Sequence, residues 1–417
     1  STPVSNRTHI SLPRALWMAG VLTALLPFKL VIASTGGIVG CLAAYVATYG
    51  QTQDGGPAEG WRAALWWLVH KTAYLWAFGM GYVRIRISGK RVSAHDAPIV
   101  VANHVSFPDG LLVSAIFRMA VVSKQSNFNI PIFGLGLIGS QCIQVARGDP
   151  ASRQATAAAI LNRATNPDKW PQTLIFAEGT TANGHALCQF QRGAFVPGKP
   201  IQPLLLRHPH RYHNPCFAED GPGLATTMAR QMAQLYSELH IEFLPPVVPT
   251  SADIKDPVGY AARMEGVVAT HLGIPRTKVS FADVVLAKSA RWAGMPPIAG
   301  VVELAQLKQF GCRCSNKAAG EVLSKFALMG AKGKGYLTRC EFVQGLCRGP
   351  DLTTGIDTRA ANHQDVLARV WDLFCPKDGT KMDFRAFLAF QLVRTGAGLG
   401  GEDETMHAVA AVLPGEL

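Results

Sequence analysis

The chain has 417 residues, 48% of them hydrophobic and only 16% charged, with a net charge of +12. That length accommodates two or three domains, and so low a charged fraction suits either a soluble enzyme or a protein partly held in lipid. The basic residues are scattered and form no arm, which argues against nucleic acid and leaves anionic lipid or a nucleotide-like phosphate as the partner of the positive charge. The nine cysteines are odd in number and widely spaced. They give no disulfide framework and no zinc pattern, so they read as free thiols in a reducing compartment.

Residues 15–28 are apolar, Lys29 interrupts, and 30–49 run without a charge, long enough for a membrane helix. A signal peptide is the rival, but the second run is too long for its core and no A-x-A cleavage site stands out. Whether 30–49 crosses the bilayer or dips into one leaflet stays open. A Gly-rich linker, 50–60, leads to 63–82, where Trp66, Trp67, Tyr74, Trp76 and Tyr82 surround His70 and Lys71. Such a mixture suits a helix at headgroup level or a buried helix of the following domain.

Strands are then expected at 83–87, 98–102, 121–122, 143–145, 173–176, 201–206 and 241–244, with helices at 108–119, 151–165 and 224–239. Strands alternating with helices over 83–285 predict one α/β domain. After the Pro/Gly break at 294–300 the pattern turns helical to about 395, and 396–417 read as a loose tail.

Three segments carry candidate chemistry. In Asn103-His104-Val105-Ser106-Phe107-Pro108-Asp109-Gly110, a histidine ends a strand and an aspartate opens a helix five residues on. A carboxylate on one imidazole nitrogen fixes the tautomer and leaves the other nitrogen as a base. The same spacing also fits a turn histidine bonded to a helix-capping aspartate. Second, the loop Glu178-Gly179-Thr180-Thr181-Ala182-Asn183-Gly184 follows a strand, offering N–H groups and hydroxyls to phosphate, or forming an ordinary turn. Third, Arg147 at a strand end could fork onto a phosphate or pair with Asp149. Gly134-Leu135-Gly136-Leu137-Ile138-Gly139 spells a dinucleotide fingerprint without its strand or its acid, and reads as a packing loop. His208, His210 and His213, near Arg207 and Arg211, read as solvated or lipid-facing rather than as a metal site.

The order HxxxxD, strand-end Arg, E-G-T, then Ile201-Gln202-Pro203 resembles the four blocks of the glycerophospholipid acyltransferases. Ile130-Pro131-Ile132-Phe133-Gly134, Lys169-Trp170-Pro171-Gln172, Gly193-Ala194-Phe195 and Ile241-Glu242-Phe243-Leu244-Pro245 resemble its lysophosphatidylcholine acyltransferase branch, and EGTTANG its lysophosphatidylethanolamine members. The likeness covers about 15–290. It implies an acyltransferase-type α/β domain (83–293) behind membrane helices (1–82), with an all-α EF-hand-like domain at 296–395. It also implies transfer of an acyl group from acyl-CoA to a lysophospholipid, with His104 as general base and Asp109 orienting it. Arg147, Glu178, Gly179, Thr180 and Thr181 would hold the acceptor's phosphate and glycerol, and Pro203 would shape the donor side. Two positions depart from the pattern, Ala177 where many relatives have Pro and Thr181 where others have Arg, and the missing Arg weakens the case for small acidic acceptors and fits larger zwitterionic headgroups. The expected place is an internal membrane, endoplasmic reticulum or Golgi, with the catalytic domain facing cytosol.

No cofactor is expected beyond acyl-CoA as co-substrate. In the loop 330–341, Gly330, Lys332 and Lys334 stand at early ligand positions, and in 375–386, Cys375, Lys377, Gly379 and Ala386 replace the usual ligands, so no calcium is expected. A silent membrane adapter and a thioester hydrolase on the same scaffold are the alternatives. Headgroup choice, chain-length choice and oligomeric state are not readable.

Overall fold

The computed structural model describes residue 3 and residues 11–50, 60–146, 149–210, 213–218, 221–305, 314–348, 371–372, 374–375 and 380–395. The chain divides into two compact units after Thr277.

The first unit opens with α1 (Leu12–Thr48) and α2 (Trp61–Gly79). The two apolar runs expected on either side of Lys29 are one continuous helix with Pro27 inside it. Lys29 does not interrupt it, because its ammonium is buried and donates to the carbonyls of Met232 (2.7 Å) and Gln234 (2.6 Å). Among the described residues, α1 is the one helix long and apolar enough to cross a membrane. The helices pack through small residues: a Cβ at Gly36 would lie 2.7 Å from the Trp76 nitrogen, and one at Gly79 would lie 2.5 Å from that of Ala33. Trp66, Val69 and Ala73 are buried on α2, whereas Trp61, Trp67 and Phe78 stay exposed.

A seven-stranded sheet follows, made of β1 (Tyr82–Ser88), β2 (Ile99–Ala102), β3 (Ala120–Lys124), β4 (Ile143–Val145), β5 (Thr173–Phe176), β6 (Ile201–Arg207) and β7 (Ser237–Phe243). Its order is β1-β7-β6-β2-β5-β3-β4, and all neighbours are parallel except β6 and β7. Ile99 to Ala102 are all buried, as expected of a central parallel strand covered on both faces. Between the strands lie α3 (Asp109–Phe117), α4 (Phe133–Gly139), α5 (Pro150–Thr165) and α6 (Leu224–Met232), and α7 (Ser251–Lys255) and α8 (Pro257–Leu272) close the unit.

The helix expected at 224–239 stops at Met232, and the strand expected at 241–244 begins at Ser237. Leu239, Ile241 and Phe243 are buried at every second position, a period of two that belongs to a strand. The glycine triplet 134–139 is a packing element, though a helix rather than a loop. A Cβ at Gly136 would meet the Cys41 sulfur at 2.7 Å, and one at Gly139 the Ala44 carbonyl carbon at 2.3 Å.

The second unit holds α9 (Phe281–Trp292), α10 (Asn316–Phe326), β8 (Tyr336–Leu337), α11 (Arg339–Arg348), β9 (Met382–Asp383) and α12 (Phe384–Thr395). The sequence reading carried the preceding domain to 293. Here Leu286 and Ala290 of α9 share a core with Leu323, Phe326, Phe342, Trp371 and Phe387. β8 and β9 pair antiparallel. Lys377, Gly379 and the tail 396–417 lie outside the described residues.

Gly139→Ala forces α4 away from the α1 backbone, and overpacking of this kind costs about 1–3 kcal/mol. Gly320→Ala, mid-α10 with nothing within 4 Å, gains about 0.5–1 kcal/mol by helix propensity. Thermal denaturation of the two variants in detergent should shift in opposite directions; equal shifts would contradict the packing assigned to α4.

Candidate active site

Three adjacent parallel strands, β5, β2 and β6, deliver the candidate residues at their carboxyl ends, where ligands of α/β sheets bind. Beyond β2, Asn103 continues the pairing with its side chain. Its Nδ2 donates to the Leu206 carbonyl (2.9 Å) and its Oδ1 accepts from the Leu206 N–H (2.8 Å). The strand end is thereby pinned one residue before His104.

The 103–110 turn folds the carboxylate back onto the imidazole. Asp109 Oδ2 lies 3.1 Å from His104 Nδ1 and accepts the backbone N–H groups of Val105 (2.9 Å) and Ser106 (2.8 Å). The Asp109 side chain is fully buried, while that of His104 is 20% exposed. With Nδ1 on the carboxylate, Nε2 of His104 has no hydrogen-bond partner among the described residues. The Phe176 ring, from the end of β5, stacks on the imidazole at 4.0 Å. Burial alone would raise the Asp109 carboxyl, but the two imidazoles against it, with their hydrogen bonds, hold it well below the usual carboxylate range.

The second imidazole is that of His208, one residue past β6. Its Nε2 lies 2.7 Å from Asp109 Oδ1, its Nδ1 lies 3.1 Å from the Tyr82 hydroxyl, and its side chain is 2% exposed. The expectation of solvated histidines holds for His210 alone, since His208 and His213 are buried. His208, Tyr82 and Phe176 were missed by the sequence reading. The available signal was that residues just beyond the carboxyl ends of parallel neighbours converge.

Glu178 sits at the same end of the sheet, but its oxygens are occupied by protein. Oε1 accepts the N–H of His104 and Oε2 that of Cys188, both at 2.9 Å. The carboxyl is 1% exposed. Its geometry fixes the backbone of the histidine rather than presenting a group to a ligand. Gly179, Thr180 and Thr181 follow, tied back by the Ala182 N–H on the His104 carbonyl (2.8 Å) and by the Thr181 hydroxyl on the Phe217 carbonyl. Pro203 is buried within β6, in register with Val101 and three residues before Leu206, which Asn103 contacts. Arg147 lies outside the described residues. The strand leading to it, β4, is three strands from β2, about 14 Å by strand spacing, and Asp149 caps α5 through Ala151 and Ser152. A mostly apolar cavity lies between α1 and α2, lined also by Leu111 and Leu112 of α3, two and three residues past Asp109.

Burial pushes the Glu178 carboxyl from its ordinary 4.5 up to about 7, with Glu265 adding to the rise and the two backbone donors opposing it. The folded state therefore holds this proton after the unfolded chain has released it. The group's contribution to stability is complete below about 4.5 and is lost as pH rises through about 7. Glu178→Gln cannot titrate, so its denaturation midpoint should fall less than that of the wild type between about pH 5 and about pH 8. Parallel pH profiles would show that the carboxyl is not held this way.

Residues 84–207 match the family model named Acyltransferase. A lysophosphatidylcholine acyltransferase of Drosophila melanogaster is 37% identical over 296 residues, 68% of this chain and 54% of that protein. The lysophospholipid acyltransferase LPCAT4 of Mus musculus is 38% identical over 230 residues, 54% of this chain and 43% of its own. LPEAT2 of Arabidopsis thaliana is 31% identical over 319 residues, 76% of this chain and 58% of its own. The chain thus spans about half the length of the curated relatives it matches. The crystal structure of a 1-acyl-sn-glycerophosphate acyltransferase from Thermotoga maritima aligns with a TM-score of 0.39 at 16% identity, over 62% of this chain and 95% of that one. The matched segment runs from β1 to the end of β6 and contains His104, Asp109 and Glu178, so residues 84–207 of the chain form an acyltransferase-family domain.

Proposed function

We propose that the chain is an acyl-CoA-dependent O-acyltransferase that re-acylates lysophospholipids, lysophosphatidylcholine, lysophosphatidylethanolamine or both. The observation that carries this reading is the His104–Asp109 pair, a partly exposed imidazole locked by a buried carboxylate at the end of a central strand. In this reading His104 Nε2 takes the proton of the acceptor's glycerol hydroxyl as that oxygen attacks the thioester carbonyl. The C–S bond breaks, and the imidazolium returns the proton to the departing CoA sulfur. No covalent acyl-enzyme forms. Asp109 keeps the proton on Nδ1 and stabilises the imidazolium. Glu178 acts through the His104 backbone, and Gly179, Thr180 and Thr181 stand on the acceptor's side. The apolar cavity beside α3 suits the acyl chain. The names of the relatives supply the substrate class, and the absence of an Arg after E-G-T favours zwitterionic headgroups.

Membrane attachment belongs to the same proposal. Trp17, Phe28, Val31, Trp61 and Trp67 on α1 and α2 are exposed, and apolar and aromatic surface of this kind is at home in the bilayer and its interface. An internal membrane, endoplasmic reticulum or Golgi, with the catalytic unit facing cytosol, fits these features.

The second unit is proposed to be EF-hand-like without calcium. Its loop 330–341 does not fit the ion. Calcium needs oxygen ligands early in the loop and a bidentate glutamate at its end. Here Gly330, Lys332 and Lys334 hold the early positions, and Lys334 Nζ sits on both oxygens of Glu341 at 2.6 and 2.5 Å. The ammonium takes the carboxylate that a cation would need.

With purified full chain, acyl-CoA and a panel of lysophospholipids, the product should be phospholipid, and His104→Ala should lower kcat by about 10²–10⁴-fold with the fold intact. Turnover retained in that variant would remove His104 from the role, and free fatty acid in place of phospholipid would make the protein a hydrolase. Calorimetric titration of the full chain with calcium should give no saturable heat; binding below about 10⁻³ M, the weak end for such loops, would refute the account of the loop.

A further inference from the structure

Taking acyl transfer at His104 as proposed above, we propose that His208 and Tyr82 form a second, buried arm on Asp109 and act as positioning residues for the reaction. The two carboxylate oxygens are served differently. Oδ2 receives His104 and two backbone N–H groups, whereas the one hydrogen bond to Oδ1 among the described residues comes from His208 Nε2, at 2.7 Å the shortest of the four. The arm ends on Tyr82, whose hydroxyl lies 3.1 Å from His208 Nδ1 and whose ring packs edge-on against the imidazole. Asp109, His208 and Tyr82 are all but sealed from solvent, so none of them can meet substrate.

Hydrogen accounting sets the direction of the arm. An ionised carboxylate only accepts, so the hydrogen facing Oδ1 is on His208 Nε2. Nδ1 of a neutral ring is then a lone pair, and the Tyr82 O–H is the donor that meets it. In this arrangement, with His208 neutral, the arm serves Oδ1 without placing a second charge beside Asp109. The aspartate therefore keeps its full negative charge for His104, and its second oxygen is anchored so that the carboxylate cannot rotate. Without the arm, Oδ1 would be a buried acceptor with no donor, a condition that favours protonation or reorientation of the carboxyl. Either change releases the tautomer that exposes a lone pair at His104 Nε2.

The test compares His208→Gln, whose amide can place a neutral N–H where Nε2 stands, with His208→Leu, which removes the donor, and His208→Asn, whose shorter amide stops short of Oδ1. The expected result is kcat within about fivefold of wild type for Gln and at least about tenfold lower for Leu and Asn, a fraction of the usual acid–base factor. KM for acyl-CoA and acceptor should stay unchanged in all three. Tyr82→Phe should lower kcat less than Leu does, again without moving KM. Imidazole ¹⁵N spectra give a readout independent of turnover: wild-type His104 protonated at Nδ1, and that preference lost in the Asn variant. Equal kcat in Gln and Asn, or an unchanged His104 tautomer, would overturn the proposal. If the Leu variant does not fold, the Gln and Asn pair decides alone. A wild type with no acyl transfer but with the His104 tautomer dependent on His208 would sink the enzymatic reading and leave the arm standing as a structural device, not a positioning one.

Discussion

One buried carboxylate organises this site. Asp109 is reached by four hydrogen bonds, three from the turn that follows β2 and one from His208 just past β6, and each depends on where the sheet places its backbone. The parallel order β5-β2-β6 makes this possible, since three carboxyl ends point the same way within two strand spacings. In an antiparallel arrangement alternate strands would deliver their residues to opposite ends. A charge sealed from water must be compensated by fixed donors. Two imidazoles and two amides do so, and the histidine that faces outward gains its orientation from the compensation.

Polar contacts tie the apolar helices to the rest of this unit. The Lys29 ammonium donates to carbonyls at and just past the end of α6, where a helix dipole is negative. His70 Nδ1 lies 3.0 Å from the Ile116 carbonyl, near the end of α3. Between these contacts, Gly136 and Gly139 let α4 approach the α1 backbone more closely than side chains would allow. Since α3 begins at Asp109, the helix pair and the 103–110 turn are fixed by the same short element.

The parts of the fold legible in the sequence were those set locally. Asn103 to Gly110 declared itself because strand end, turn and helix start are adjacent in the chain, and β2, β4, β5 and β6 were placed within one residue at each end because they are short apolar runs between turn residues. What failed was non-local or ambiguous in period. The stretch 233–239 joins a helix end to a strand with no Gly or Pro between them, so the helix was carried too far. Lys29 looked like an interruption because its carbonyl partners lie some 203 residues away in the chain. His208 looked solvated for the same reason, since nothing near it in sequence says that β6 lies beside β2. Glu178 is placed with the acceptor by the resemblance of its E-G-T block, whereas its two backbone partners become visible only when the loop is closed.

Glu178 and Asp109 show how position alone divides two acids of one site. Both are buried, and both accept backbone N–H groups at 2.8 to 2.9 Å. Asp109 also has two imidazoles, which outweigh burial and keep it ionised. Glu178 has two amides and the Cys188 side chain but no imidazole, faces the charge of Glu265, and is pushed by burial up to about 7. An acid whose charge is costly where it stands is a poor electrostatic partner for a base and a poor ligand for a phosphate. It is a good clamp, because either protonation state leaves oxygen acceptors for the His104 and Cys188 amides. The division of labour follows: the acid whose charge is supported tunes the imidazole, and the one whose charge is not holds the backbone that carries it.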